Sequence, residues 1–232
     1  MGFYYFDYTY FIYILPALII SMYAQFKVNA TFRKYSQVGT MNGLTGAEAA
    51  SRVASYGGVQ GLSIRHINGN LNDHFDPRDN SISLSDSVYN RATISAVGVA
   101  AHEAGHAIQH ATGYAPNKIR AALVPITNIG SMLSFPIILI GLLLPVEYDF
   151  VVTIGIALYS LMVVFQLVTL PVEFNASRRA IKALNETGIL YPDEIEGARK
   201  VLSAAAMTYL AATFASLMSL LRLLAIVNRR RD

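Results

Sequence analysis

Four long runs of apolar residues set the layout of the chain. They cover about Tyr8 to Phe26, Ile129 to Val146, Phe150 to Pro171 and Ser203 to Val227. A helix needs roughly 20 apolar residues to cross the hydrocarbon core of a bilayer, and each run is close to that length. The pattern therefore predicts membrane helices, of which the second and third form a hairpin because only a short acidic turn separates them.

The longest polar stretch lies between the first and second runs and predicts short helices and strands. Thr45 and Glu48 in LTGAEAASRVASYGG have the spacing of a helix-capping box, and two glycines end that helix. Alternating residues in GLSIRHI and in Ser81 to Ser85 predict two strands. A longer helix follows in ATISAVGVAAHEAGHAIQHATG and ends near Gly113.

A shorter polar stretch separates the third and fourth runs. Here a helix is expected to restart after Pro171, with Glu173 in its first turn, and to stop at Gly188 before another helix begins near YPDE. The predicted segments are an N-terminal transmembrane anchor (1–26), a cytoplasmic core (27–128), a transmembrane helical hairpin (129–171), cytoplasmic helices (172–202) and a C-terminal apolar helix with a basic tail (203–232).

The composition agrees with a membrane protein and limits its chemistry. Of the 232 residues, 53% are hydrophobic and only 14% are charged, against about one quarter in soluble domains. The chain has no cysteine, so any metal must bind to nitrogen and oxygen ligands rather than thiolates. The formal net charge of +3 is not concentrated in basic blocks interleaved with aromatics, so nucleic acid is not an expected partner.

The positions of the basic residues predict an orientation in the membrane. Lysines and arginines flank the apolar runs on the side of the polar stretches, and the positive-inside rule places that side in the cytoplasm. The basic tail after Val227 is a contrary signal, because four full crossings would place it outside. The alanine content of the fourth run and Arg222 favour a helix that packs into the protein and lies partly at the surface.

The sequence VAAHEAGHAIQHA carries the clearest chemical motif. His102 and His106 lie four residues apart, so on a helix both imidazoles reach one cation. Glu103 lies further round the helix and is suited to take a proton from a metal-bound water. Because zinc lowers the pKa of such a water to about 7, the motif favours zinc-dependent hydrolysis of peptide bonds.

The alternative interpretation of this motif is a charged helix face with ordinary histidines. The surrounding residues are apolar nearly all round the helix, and a buried His–Glu–His cluster without a partner would cost several kcal/mol, which weakens that alternative. Gly105 in the middle of the helix indicates the close approach of another backbone or of substrate.

The motif leaves the third ligand open. His110 lies about 6 Å beyond His106 along the helix axis, so a supporting or structural role is favoured over ligation. His66 and His74 lie on the strand segments and are expected to form ordinary polar contacts. Glu173, at the end of the third apolar run, is the better candidate; the competing interpretation is a helix-start carboxylate stabilised by the helix dipole.

Several blocks of the sequence resemble one known family. DHFDPRDNSISLS, VAAHEAGHAIQHATGYAPNKIRAALVP, LPVEFNASRRA and GARKVLSAAAMTYLAA are similar, in order from about Thr31 to the C-terminus, to the YugP-like family of neutral zinc metallopeptidases of bacterial membranes. The resemblance implies a gluzincin, similar in layout to the HtpX and Ste24 membrane proteases, with one Zn²⁺ per chain. His102, His106 and Glu173 would be the zinc ligands and Glu103 the general base.

The fold implied is mainly α with a small β element, a multi-pass helix bundle with a zincin-like HExxH metallopeptidase core. Asn175 stands where the family would place an aspartate that orients a ligating histidine, which raises the question of a weaker zinc site. An edge strand for pairing with extended substrate would be formed by Ser81, Ile82, Ser83, Leu84 and Ser85, with a simple hairpin as the equal alternative. Candidates for stabilising the oxyanion are His74, Tyr209 and Arg178.

Two functions of different kinds follow. The first is a zinc endopeptidase at the cytoplasmic face of the bacterial cell membrane, acting on membrane-associated proteins or peptides. The second is a non-catalytic scaffold or adaptor with a structural or vestigial metal site, whose small residues in SAAAMTYLAATFASLMS pack against partner membrane proteins. Metal transport is disfavoured because the second and third runs carry no ionisable group within the bilayer.

Overall fold

The structure is a computed structural model and describes residues 8–231. The first seven residues of the predicted anchor and Asp232 lie outside the described residues. The helices are α1 (Leu15–Tyr35, after a π-helical turn Tyr10–Ile14), α2 (Gly46–Tyr56), α3 (Ile94–Ala111), α4 (Ala115–Leu143), α5 (Asp149–Glu186) and α6 (Pro192–Arg231). The strands are β1 (Ser63–Ile67), β2 (His74–Asp76) and β3 (Ser81–Ser85).

These elements confirm the coarse prediction of a mainly helical chain with a small sheet. Helices α1, α4, α5 and α6 are long and apolar enough to cross a membrane. The residues divide into two compact units. The membrane unit comprises residues 8–24, 119–170 and 208–231, and the polar unit comprises Gln25–Lys118 and Pro171–Met207.

In the membrane unit, glycines let the hairpin helices α4 and α5 approach closely. A Cβ atom added at Gly141 would lie 2.7 Å from the backbone nitrogen of Val152, and one at Gly155 would lie 2.9 Å from the backbone nitrogen of Ile138. Ile138 and Val152 are themselves buried and form a small apolar cluster with Val227 of α6. Small residues at a helix crossing give this kind of backbone approach in membranes.

Arg230, near the end of α6, contacts the turn that joins α4 and α5. Its Nη1 donates to the carbonyl of Gly141 at 2.8 Å, its Nη2 donates to the carbonyl of Leu144, and its Nε lies 3.4 Å from Oδ1 of Asp149. The last carbonyls of a helix have no partner within it, and the guanidinium provides one for Gly141 in the last turn of α4 and for Leu144, which follows that helix. The fourth apolar run therefore extends along the hairpin as far as the turn between α4 and α5.

The polar unit contains a three-stranded sheet in the order β1-β3-β2. Strand β3 pairs in parallel with β1 over Ser63–Ile67 and antiparallel with β2 over His74–Asp76. Every residue of β3 is buried. The prediction that β3 is an edge strand for substrate is therefore wrong: Ser81, Ile82, Ser83, Leu84 and Ser85 lie at the centre of the sheet. Alternation along a strand predicts its buried faces but says nothing about its neighbours.

The apolar core of the polar unit lies between α2, α3 and the end of α5. Helix α2 has the predicted capping box, in which Thr45 accepts from the backbone of Glu48 while the Glu48 side chain accepts from the backbone of Thr45. Its buried face packs on α3, and Val53, Val97, Leu184 and Ile189 are among the fully buried core residues.

Helix α5 does not restart after Pro171. It runs unbroken from Asp149 to Glu186, although proline removes one backbone donor and crowds the preceding turn. Glu173 consequently lies inside the helix, and the interpretation of Glu173 as a helix-start carboxylate is wrong. The helix ends before Gly188, which has a φ of +62°, and α6 begins at Pro192, both as the sequence predicts.

Candidate metal centre

Helix α3 presents two histidines on one of its faces. The rings of His102 and His106 lie edge to face with centroids 4.7 Å apart, as expected for residues four apart on a helix. Thr93 caps the start of this helix by accepting from the backbone of Ala96, and the residues around the motif are mostly buried alanines. The motif therefore lies on a capped helix that is mostly buried.

Gly105 allows α5 to pass directly over the motif. A Cβ atom at Gly105 would lie 2.5 Å from the carbonyl oxygen of Ala176, a distance that no side chain tolerates. The expectation that Gly105 marks a close backbone approach is confirmed. Since Ala176 is one turn from Glu173 on α5, this crossing carries the Glu173 carboxylate to the two imidazoles.

The three side chains converge on one point. Oε2 of Glu173 lies 3.3 Å from Nε2 of His102 and 3.5 Å from Nε2 of His106. Two ligand atoms that each lie about 2.0–2.1 Å from a tetrahedral zinc are about 3.3–3.4 Å apart. The two measured spacings match the edges of such a shell, and the side chain of Glu173 is only 4% exposed. Two nitrogens and one oxygen also form a donor set that zinc accepts, with a fourth position left for water or substrate.

A chain of hydrogen bonds sets the protonation of His106. Gln109 donates from Nε2 to the backbone carbonyl of Val172 at 2.7 Å and to Oδ1 of Asn175 at 3.0 Å. Its Oε1 must then face Nδ1 of His106, 3.1 Å away, and because an amide oxygen only accepts, Nδ1 carries the hydrogen. The lone pair of His106 is left on Nε2, the atom that faces Glu173. This is the tautomer that a metal ligand needs.

Asn175 acts one hydrogen bond further from the centre than the sequence predicted. Its Oδ1 accepts from Gln109 and from Nε of Arg179 at 2.8 Å. Arginine is only a donor, so it fixes the Asn175 oxygen in the accepting position. The prediction that Asn175 replaces a carboxylate in direct contact with a ligating histidine is wrong; Gln109 makes that contact.

His102 is held by a less directional partner. Its Nδ1 lies 3.1 Å from Oγ of Ser177, and a hydroxyl either donates or accepts. The tautomer of His102 is therefore not set by this contact alone, in contrast to that of His106.

Glu103 is buried beside the three converging groups. Burial raises the pKa of its carboxyl, and the neighbouring imidazoles of His102 and His106 partly oppose that shift. A carboxyl whose proton affinity is raised in this way is a better base near neutral pH than an exposed glutamate.

The remaining predicted residues lie in other surroundings. His110 is exposed and packs against the ring of Phe75, with centroids 5.9 Å apart. His74 is exposed and its Nδ1 lies 2.9 Å from the backbone oxygen of Asn72. Arg178 is exposed on α5, and Tyr209 lies on α6 in the membrane unit. The oxyanion role of the last three stays a prediction.

Sequence reasoning missed Gln109 and Ser177. A signal for Gln109 was available in the spacing, since a glutamine three residues after His106 lies on the same side of the helix. Ser177 offered no signal, because its contact with His102 depends on how α5 crosses α3.

Comparison with known proteins points to one family. The sequence matches, over residues 10–228, the family model described as "Putative neutral zinc metallopeptidase". It is 42% identical over 218 residues to "Putative membrane protease YugP" from Bacillus subtilis (strain 168). The aligned residues cover 94% of this chain and 96% of that relative. No solved structure matches the chain.

Proposed function

The chain belongs to the family described as "Putative neutral zinc metallopeptidase", as its sequence blocks predict, and from this membership we propose that it is a zinc-dependent endopeptidase of the membrane. The observation that carries the proposal is the position of the Glu173 carboxylate, 3.3 and 3.5 Å from the Nε2 atoms of His102 and His106. These three residues would hold one Zn²⁺, in a gluzincin arrangement built on the HExxH helix.

Zinc, when bound, acts as a Lewis acid towards a water molecule and the substrate carbonyl. Glu103 accepts a proton from the attacking water and passes it to the nitrogen of the leaving amine. Gln109 holds the hydrogen of His106 on Nδ1, which keeps the Nε2 lone pair turned towards the centre. Buried apolar residues surround Glu103 on α3 and limit the contact of its carboxyl with bulk water.

We further propose that the centre faces the cytoplasm and acts on membrane-associated proteins or peptides. The orientation is supported by the basic residues that flank the apolar runs on the side of the polar stretches. The substrate class is supported by the family and by four helices that are long and apolar enough to cross a membrane.

Glu103→Gln is the direct test. The amide keeps the size of the side chain but does not accept a proton, so cleavage of fluorescein-labelled casein should fall by about 10²–10⁴-fold. Zinc content, measured by mass spectrometry of the purified protein, should stay at one ion per chain. Glu147→Gln, the same change in the turn between α4 and α5, is the matched control and should retain both activity and zinc.

Wild-type activity in Glu103→Gln, or full activity in protein stripped of zinc, would reject the endopeptidase. The same variant distinguishes a peptidase from a non-catalytic scaffold. In cells whose own copy of the protein is removed, a scaffold with Glu103→Gln restores the wild-type phenotype, whereas an inactivated peptidase does not.

A further inference from the structure

A basic groove lies between the second half of α1 and the start of α6, within the polar unit. Its volume is about 410 Å³. The cationic side chains that line it are Lys27 and Lys34 from α1 and Arg199 and Lys200 from α6. None of these residues belongs to the metal centre, and the proposed peptidase chemistry does not use them.

The groove keeps positive charge that its one carboxylate does not neutralise. Glu196 is the acid that lines it, and its carboxylate lies 3.7 Å from Nε of Arg199 and 3.5 Å from Nζ of Lys200. Among the described residues, Lys27 and Lys34 have no carboxylate within ion-pair distance; Nζ of Lys34 lies over the ring of Tyr35, 5.5 Å from its centroid. Two lysines therefore remain available to an anion.

The groove lies where both helices change from apolar to charged. Lys27 directly follows the first apolar run, and Ser203, which lines the groove, begins the fourth. Beyond Ser203 the lining continues with Ala204 and Met207, which are apolar. In a chain whose helices cross a bilayer, such a change in polarity falls at the level of the lipid headgroups.

We propose that this groove binds the phosphate headgroup of an anionic phospholipid of the phosphatidylglycerol or cardiolipin class. The lysines bind the phosphodiester, the hydroxyls of Thr31 and Ser203 are placed to donate to its oxygens, and the apolar end beside Ala204 and Met207 receives the glycerol and the first acyl carbons. Basic pockets between membrane helices bind such headgroups. A free phosphate uses the same charges but gains nothing from the apolar end, so the lining of the groove favours a lipid over a free phosphate.

The test is native mass spectrometry of the full-length, delipidated protein in detergent. Dioleoyl-phosphatidylglycerol, dioleoyl-phosphatidylcholine and inorganic phosphate are titrated separately. Phosphatidylglycerol should bind at one saturable site and the other two should not. Lys27→Gln/Lys34→Gln should weaken that binding by about fivefold for each removed cation, or about 25-fold together.

The matched control removes two cations outside the groove. Arg33→Gln/Lys182→Gln has the same change in charge, with Arg33 on α1 between the two lysines and Lys182 exposed on α5. It should leave phosphatidylglycerol binding within about twofold of the wild type. If the lysine double variant does not fold, each single variant is measured and should show the fivefold loss.

Three results would overturn the proposal. They are equal binding of phosphatidylcholine, equal binding of inorganic phosphate, and an equal loss in the control pair. Zinc content is measured in the same samples and should be unchanged in every variant, so failure of the lipid site and failure of the metal centre are told apart.

Discussion

The amide of Gln109 decides which nitrogen of His106 is available to a metal. Its donors are both used, on Val172 and Asn175, so its oxygen can only accept the Nδ1 hydrogen. Arg179 fixes the far end of the same chain. A neutral glutamine thereby does what a carboxylate does beside many metal-binding histidines: it sets the tautomer and the ring orientation.

Gln109→Ala should lower zinc affinity by about 10–100-fold, because His106 loses the acceptor that holds its hydrogen on Nδ1. The measurement is competition against a chelator of known zinc affinity. His110→Ala, the next residue and an exposed one, should change the affinity by no more than about twofold. Equal affinities for Gln109→Ala and the wild type would show that the hydrogen bond does not support the site.

The crossing of α3 and α5 is the element-level feature that builds the centre. The histidines come from α3 and the carboxylate from α5, and the two helices meet where Gly105 lies under the Ala176 carbonyl. Gly98, two turns earlier on α3, lies in a more open place: a Cβ atom there would be 3.6 Å from Cβ of Ala198, an ordinary contact. Alanine in place of Gly105 therefore tests the close packing of the two helices, whereas alanine in place of Gly98 tests helix propensity alone.

Gly105→Ala should destabilise the protein by about 1–3 kcal/mol, because the added methyl meets a backbone oxygen that cannot move without shifting α5. It should also reduce bound zinc, since Glu173 moves with Ala176. Gly98→Ala should be neutral or stabilising by up to about 1 kcal/mol, because alanine favours the helix more than glycine. Thermal unfolding and zinc content are measured for both. A Gly105→Ala protein with wild-type stability and zinc would contradict the close crossing.

Hydrophobic and polar patterning predicts most of the elements but not their neighbours. The capping box at Thr45, strand β3 and the motif helix are local and follow from the sequence. The central position of β3 depends on pairing with β1 and β2, which no local pattern contains. Pro171 misled the prediction because packing along α5 outweighs the local preference of proline to end a helix.

At the scale of the whole molecule, the candidate centre joins two segments that the second and third apolar runs separate in the sequence. His102 and His106 precede the hairpin of α4 and α5, and Glu173 follows its apolar part. The motif itself predicted the two histidines of the candidate centre, and the role of Glu103 as the base stays a prediction. Glu173 was one candidate among several, because only the folded polar unit places it beside the imidazoles.

Removal of zinc should lower the thermal stability of the protein. An ion that binds the folded state but not the unfolded chain stabilises it by about 2.7 kcal/mol at a concentration 100 times its dissociation constant. A chelator should therefore lower the unfolding temperature of the wild type, and added Zn²⁺ should restore it, while Mg²⁺, which prefers oxygen ligands, should not. His102→Ala should be insensitive to the chelator. An unchanged unfolding temperature of the wild type in the chelator would count against the site.

Arg230 also fixes how far α6 can slide along the hairpin. Its guanidinium contacts the carbonyls of Gly141 and Leu144 at the end of α4 and the Asp149 carboxylate at the start of α5. A shift of α6 by one helical turn, about 5.4 Å, would separate these groups, and unpaired charges are costly in an apolar medium. Arg230 thereby sets the axial register of α6 against α4 and α5.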